Sequence, residues 1–169
     1  MDQLSAATGL HKPSLYGAFG DKKQLFLAAL DNYLAEVRAE FAEAFAIPDL
    51  FESLETMLER AIDKFTRTAF GSGCFMISAA LPEAGTDPDI SAQVRSALES
   101  LDRAFVRRFE RAIEAGQIPP DSDPQALALI MGGGHSAISA RARAGYSREE
   151  LVETGRRTVA LIRSLTSAS

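Results

Sequence analysis

Tryptophan is missing from this 169-residue chain, cysteine occurs once and histidine twice. With Cys74 alone no internal disulfide can form, which fits a reducing, cytosolic setting. His11 and His135 lie 124 positions apart, so the chain offers no metal-ligand spacing, and neither a metal nor a cofactor is expected. β-Branched runs are scarce, and no stretch alternates apolar and polar residues over six or more positions, which excludes ordinary half-buried strands. No apolar run approaches the ~18 residues of a membrane span. Met1 leads into Asp2 and a polar mix rather than a signal peptide. No glycine-rich phosphate loop follows a strand, because the glycines of MGGGH (131–135) lie inside an apolar helical segment. Glu36 and Glu40 read as surface charges on one helix face. No catalytic constellation emerges, so the chain is not expected to be an enzyme. An all-α enzyme, or a helical interaction module without DNA binding, is the alternative class.

What remains is a helical pattern. Ala, Leu, Glu and Arg dominate, and apolar residues recur at helical spacing, so the fold class is all-α. The spacing predicts short helices over 2–8 and from 12 to about 19, separated by Gly9. Pro13 is tolerated in the first turn of the second. Asp21 caps a long helix to about residue 46, with Gln24 completing a capping-box pattern. Its stripe is Phe26, Leu30, Tyr33, Val37, Phe41 and Phe45. Further helices are expected over 49–70, 74–81, 90–115, 124–144 and 148–166, with a loop at 82–89. The net charge of −5 argues against a general nucleic-acid binder. Residues 1–25, however, carry Lys12, Lys22 and Lys23 against Asp2 and Asp21, a net of +1, while Glu36, Glu40, Glu43, Asp49, Glu52, Glu55 and Glu59 follow. A basic end on an acidic body permits a DNA contact at that end.

Two short helices joined by a glycine turn form a helix-turn-helix, whose second helix can lie in a major groove. Here Lys12, Ser14 and Gly17 would point outward with Tyr16 at the edge, while Leu15 and Phe19 would anchor the core. Tyr16 and Ser14 hydroxyls can donate to phosphates, and Lys12 and Lys22 can neutralise them. Lys22 and Lys23 sit in the first turn of the long helix, where its dipole disfavours cations and its free N–H groups favour an anion, which points to a phosphate there. The same pattern also arises as plain packing with solvated lysines. The residues Leu4, Ser5, Thr8, Gly9, Leu10, Leu15, Tyr16, Phe19, Lys22 and Leu25 resemble the helix-turn-helix of the TetR family of transcriptional regulators. That resemblance implies phosphate contacts by Tyr16 and Lys22, with Lys12, Pro13, Ser14 and Gly17 facing the bases. His11 stands where the family usually has a Ser or Thr cap, so it caps weakly or touches DNA itself. The family carries one more helix before this motif, so residues 1–25 are expected to be an incomplete DNA-binding unit. Residues 26–169 would then be a helical effector-binding and dimerisation domain.

For the body, the resemblance implies an effector pocket, with Met57, Ala61, Phe65, Phe75, Met76, Phe105, Phe109, Met131 and His135 as candidates. Aromatics and Met at helical spacing are as readily core. His135 would either orient a ligand by one hydrogen bond or be a satisfied core or interface residue. Cys74, opening a helix after a glycine break, reads as a reactive thiol or as a small buried apolar residue. Gly132, Gly133 and Gly134 each cost ~1 kcal/mol in a helix relative to Ala. Close approach of helices offsets that, either across a two-fold axis in a homodimer built on the last two helices or inside one subunit. The working expectation is a DNA-binding repressor, cytoplasmic and dimeric, released from operator DNA when a small apolar or amphiphilic effector makes residues 21–46 swing.

Overall fold

The structure is a computed structural model that describes residues 9, 11–67 and 73–167. The expected helix over 2–8 and the motif residues Leu4, Ser5, Thr8 and Leu10 lie outside the described residues. Within them the fold is all-helical and no strand occurs.

Helix α1 spans Lys12–Phe19, with Pro13 in its first turn and Gly20, at φ 80°, past its end. His11 precedes it in extended backbone and makes no side-chain cap. Helix α2, Lys22–Phe45, is capped by Asp21, whose carboxylate accepts from the Gln24 N–H at 2.8 Å. Helix α3, Leu50–Arg67, buries Leu50, Leu54, Met57, Ala61 and Phe65, which recur at helical spacing.

The next segment departs from expectation. Residues Met76–Ala80 form a π-helical turn, and Leu81–Ala84 continues as the short helix α4. The Leu81 N–H bonds the Met76 carbonyl five residues back. Pro82 lacks the N–H that an α-helical ladder would use here, which removes one competitor to the wider turn. The expected loop at 82–89 is therefore mostly helix and turn. Asp87 ends it, accepting from Asp89 and Ile90 N–H groups at 2.9 and 3.2 Å, and Pro88 opens α5, Pro88–Glu114. A Pro that is poor inside a helix is well placed at its first position. Helix α6, Pro124–Arg143, repeats the device with Asp123 and Pro124. Helix α7, Arg148–Leu165, opens on a full capping box of Ser147 and Glu150.

α6 is the central strut, packed against α5, α7 and α3, with α7 also on α3 and α2 laid across α3. Phe65, Phe105, Phe109, Met131 and Ile138 are fully buried between these helices. Each such side chain gains ~1.5–3 kcal/mol from leaving water.

Arg108 is the buried exception at 2% exposure. Its guanidinium donates to Ser53 Oγ at 3.0 Å and to the Ile47 and Pro48 carbonyls at 3.2 and 3.1 Å. It thereby fills carbonyls of the link between α2 and α3 that no helix pairs. Arg111 adds a bond to the Phe45 carbonyl at 2.9 Å.

Candidate functional site

The first candidate surface is α1. Leu15 is its buried anchor, whereas Phe19, expected to share that role, is 37% exposed. Pro13, Ser14, Tyr16 and Gly17 are exposed, as is His11 just before them. A Cβ at Gly17 would meet nothing within 4 Å, so backbone at that point lies open to a close approach. Lys12 is the first residue of the helix, and Lys22, exposed, opens α2.

Lys23 is different. Its ammonium bonds Asp87 at 2.9 Å and also reaches Asp89. Of the two lysines read as a phosphate cradle, this one is held by carboxylates of the α5 cap. The partnership, led by the bond to Asp89, raises the Lys23 pKa, and the bond to Lys23 lowers that of Asp87.

The second candidate is a cavity of about 660 Å³ between α2 and α5. These helices run side by side and are fastened at both ends. Lys23 with Asp87 and Gln93 with the Leu27 carbonyl join one end, and Arg108 and Arg111 join the other. Between the fastenings they part. Tyr33, Leu34, Val37, Phe41 and Phe45 form one wall, and Ala97, Leu101 and Ala104 the other. Cys74, Met76 and His135 close the inner end, while exposed Arg38, Arg107, Glu110, Arg111 and Glu114 ring the solvent side.

The inner end holds the polar chemistry. The Tyr33 hydroxyl donates to Cys74 Sγ at 3.2 Å. Burial, followed by the nearby Cys74, pushes the Tyr33 pKa up, so the phenol keeps its proton. The Cys74 N–H donates to Ser139 Oγ at 2.8 Å, one helical turn beyond His135. Gly73, at φ 98°, lets the chain pass so close to α6 that a Cβ there would sit 3.0 Å from the Ser139 carbonyl. His135 is enclosed by Phe41 and Phe65, with ring centroids at 5.6 and 5.5 Å. Burial lowers its pKa from 6.5 to about 4, so the ring is neutral at pH 7.

Comparison with known proteins settles the class. Residues 51–159 match the family described as tetracyclin repressor-like, C-terminal domain. The repressor ComR of Escherichia coli is 30% identical over 160 residues, which cover 94% of this chain and 76% of ComR. The chain belongs to the TetR family of transcriptional regulators. BdcR, a second E. coli repressor, is 28% identical over 86% of this chain and 70% of its own length. Among solved structures, a cysteine-substituted form of the TetR-family regulator CifR, complexed with a 26-base-pair operator DNA, superimposes with a TM-score of 0.84. It is 27% identical and covers 95% of this chain and 84% of its own.

Membership in the TetR family makes this protein a DNA-binding regulator of the repressor type rather than an enzyme. No helix among the described residues is long and apolar enough to cross a membrane. Among them, too, no cluster of three metal-ligating side chains occurs.

The walls of the cavity differ from the expected set. Met76 and His135 line it, whereas Met57, Ala61, Phe65, Phe105, Phe109 and Met131 are buried in the core and are not among its lining. Phe75 packs on Phe26 and Tyr33 at 5.5 and 5.7 Å instead. The other lining residues come largely from the α2 stripe. Their signal was present, since that stripe is apolar along its whole length.

The glycine run divides. A Cβ on Gly134 would collide with Thr158 of α7, at 2.6 Å from its Oγ1, so this glycine serves α6–α7 packing inside one chain. Gly133 is exposed, with nothing within 4 Å of a Cβ. It lies on a face shared with exposed Leu129 and Ala140.

Proposed function

We propose that this protein is a ligand-released repressor whose two working parts meet on α2. Residues 1–25 form the DNA-reading part and residues 26–169 the effector-binding and dimerisation part. His11, Lys12, Pro13, Ser14 and Gly17 face the bases, and Tyr16 and Lys22 hold phosphates. The exposure of α1 supports this reading. So does the operator-bound state of its structural relative CifR.

One observation carries the regulatory half. α2 begins directly after the recognition helix, and its inner face is a wall of the cavity. A molecule that wedges α2 away from α5 must therefore also move α1. An effector that binds this wedged state better lowers DNA affinity by its differential affinity for the two states.

The exposed faces of α6 and α7 supply the partner contact. Leu129 is 76% exposed, and Leu161 and Leu165 are 49% and 59% exposed. Apolar side chains this open, beside small Gly133 and Ala140, suit a four-helix contact with a second copy.

The test needs no effector. Operator sites are first selected from random DNA with the purified protein. Ala104→Phe then fills the cavity from the α5 side and should lower DNA affinity by ~10-fold or more, which corresponds to ~1.4 kcal/mol. Helicity should stay intact in circular dichroism. An unchanged affinity in the folded variant breaks the link between cavity and DNA.

A further inference from the structure

We infer that the cavity takes an uncharged aromatic molecule carrying a hydroxyl, which pairs with His135 at the inner end. The inference rests on the effector reading above and names the class of molecule.

The first observation is an orphaned polar atom. His135 is 4% exposed and lines the cavity. Its Nδ1 is fully buried without a hydrogen-bond partner among the described residues. A buried nitrogen left unpaired costs ~1–3 kcal/mol, and buried polar groups nearly always have partners. The ring that carries this nitrogen lines the cavity, so a hydroxyl seated at the inner end meets the imidazole.

The chemistry of that group follows from the ring. Neutral imidazole has one donor nitrogen and one acceptor nitrogen. A hydroxyl can answer either tautomer, whereas a carbonyl answers only one. A carboxylate fits badly, because no cation lines the inner end, and Lys64, 5.2 Å over the Tyr33 ring, is already paired with Glu40 and Glu36. The inner lining is Tyr33, Phe41, Cys74, Met76 and His135, and the guanidiniums of Arg38, Arg107 and Arg111 lie at the solvent side. Burying an unpaired anion at the inner end is strongly unfavourable. Burial also keeps the His135 ring from offering a positive charge.

The shape of the rest follows from the walls. Tyr33, Phe41 and Phe45 present rings, with Leu34, Val37, Leu101 and Ala104 between them. Ring edges and faces at such walls favour a flat aromatic body, through offset or edge contacts of ~0.5–1.5 kcal/mol each. A volume of about 660 Å³ is ample for a fused ring system.

The experiment compares three probes of one shape at pH 7 by isothermal titration calorimetry on the purified protein: 2-naphthol, naphthalene and 2-naphthoate. 2-Naphthol should bind ~10-fold tighter than naphthalene, and 2-naphthoate weaker than both. His135→Phe keeps a ring but removes both nitrogens, and should erase the preference for 2-naphthol. His135→Leu is the second variant should the first fail to fold. Equal binding of 2-naphthol and naphthalene, a preference for 2-naphthoate, a hydroxyl preference that survives in the folded variant, or no binding of 2-naphthol at ~1 mM each overturns the assignment. Operator release is scored separately. If 2-naphthol binds through His135 yet leaves DNA affinity unchanged, the pocket assignment stands and the release mechanism fails.

Discussion

The two ends of α2 obey different rules. At its start the chain is exposed and its chemistry is local: Asp21 caps, Lys22 opens to solvent, and α1 shows Ser14, Tyr16 and Gly17. Toward its end almost nothing is local. Phe41 meets Phe105 and His135, and the Phe45 carbonyl and that of Ile47 just beyond are filled by arginines more than 60 residues away. A surface that recognises a polymer such as DNA can be written in consecutive residues. A cavity cannot, because it is the space left where several elements fail to touch.

That contrast can be broken or sharpened by substitution. The largest effect belongs to the core beside the cavity. Phe105→Ala should destabilise the fold by ~3–5 kcal/mol, read as a fall in the denaturation midpoint. Where the variant is still folded, the salt dependence of its DNA binding should match the parent, and a changed slope would mean the two regions are not separable.

Next comes the pH response of His135. The unfolded ring takes up a proton as pH falls below 6.5, while the buried ring stays neutral until about 4. The unfolded state then binds more protons, so stability falls with pH across that window, by ~3 kcal/mol in all. Chemical denaturation from pH 7 to 4 should show this loss, and His135→Phe should flatten it. A parent curve as flat as the variant's would show that the ring is not buried.

The glycines of α6 give a smaller, two-sided effect. Gly134→Ala forces a methyl against Thr158, an overpacking of ~1–3 kcal/mol against the ~1 kcal/mol helix gain. Gly133→Ala meets no neighbour in its own chain and should stabilise the isolated subunit by up to ~1 kcal/mol. If that face meets a second copy, the same methyl should weaken self-association in sedimentation equilibrium. Association unaffected by Gly133→Ala would move the contact elsewhere.

The smallest effect is at the DNA end. Lys22→Ala should reduce the slope of log affinity against log salt by ~1 and weaken all sequences alike. Tyr16→Phe should weaken binding with less change in slope. Lys23→Ala should leave that slope alone, since its ammonium is engaged by Asp87 and Asp89.

The sequence was readable where one element decides its own fate. The Asp21 start, the Pro13 opening and the α2 stripe all follow from side chains within a few residues of each other. The motif Leu15, Tyr16, Phe19, Lys22 gave the family without any fold. The stretch after Cys74 was misread because a π-helical turn depends on which backbone donors remain, and Pro82 alone does not announce it. The role of Lys23 was misread for a related reason. Its acceptors are Asp87 and Asp89, which no spacing rule brings to it.

By itself, then, the sequence determined most of the helices, the Asp21 cap and the kind of surface α1 shows, since those depend on contacts over one or two turns. Tertiary structure alone decided that α2 and α5 are fastened at both ends and parted in the middle, that His135 lines the gap and keeps a buried, unpaired nitrogen, and that Gly134 meets α7 while Gly133 lies open. The physical reason is that packing couples residues far apart in the chain, and a void is defined by all its walls at once.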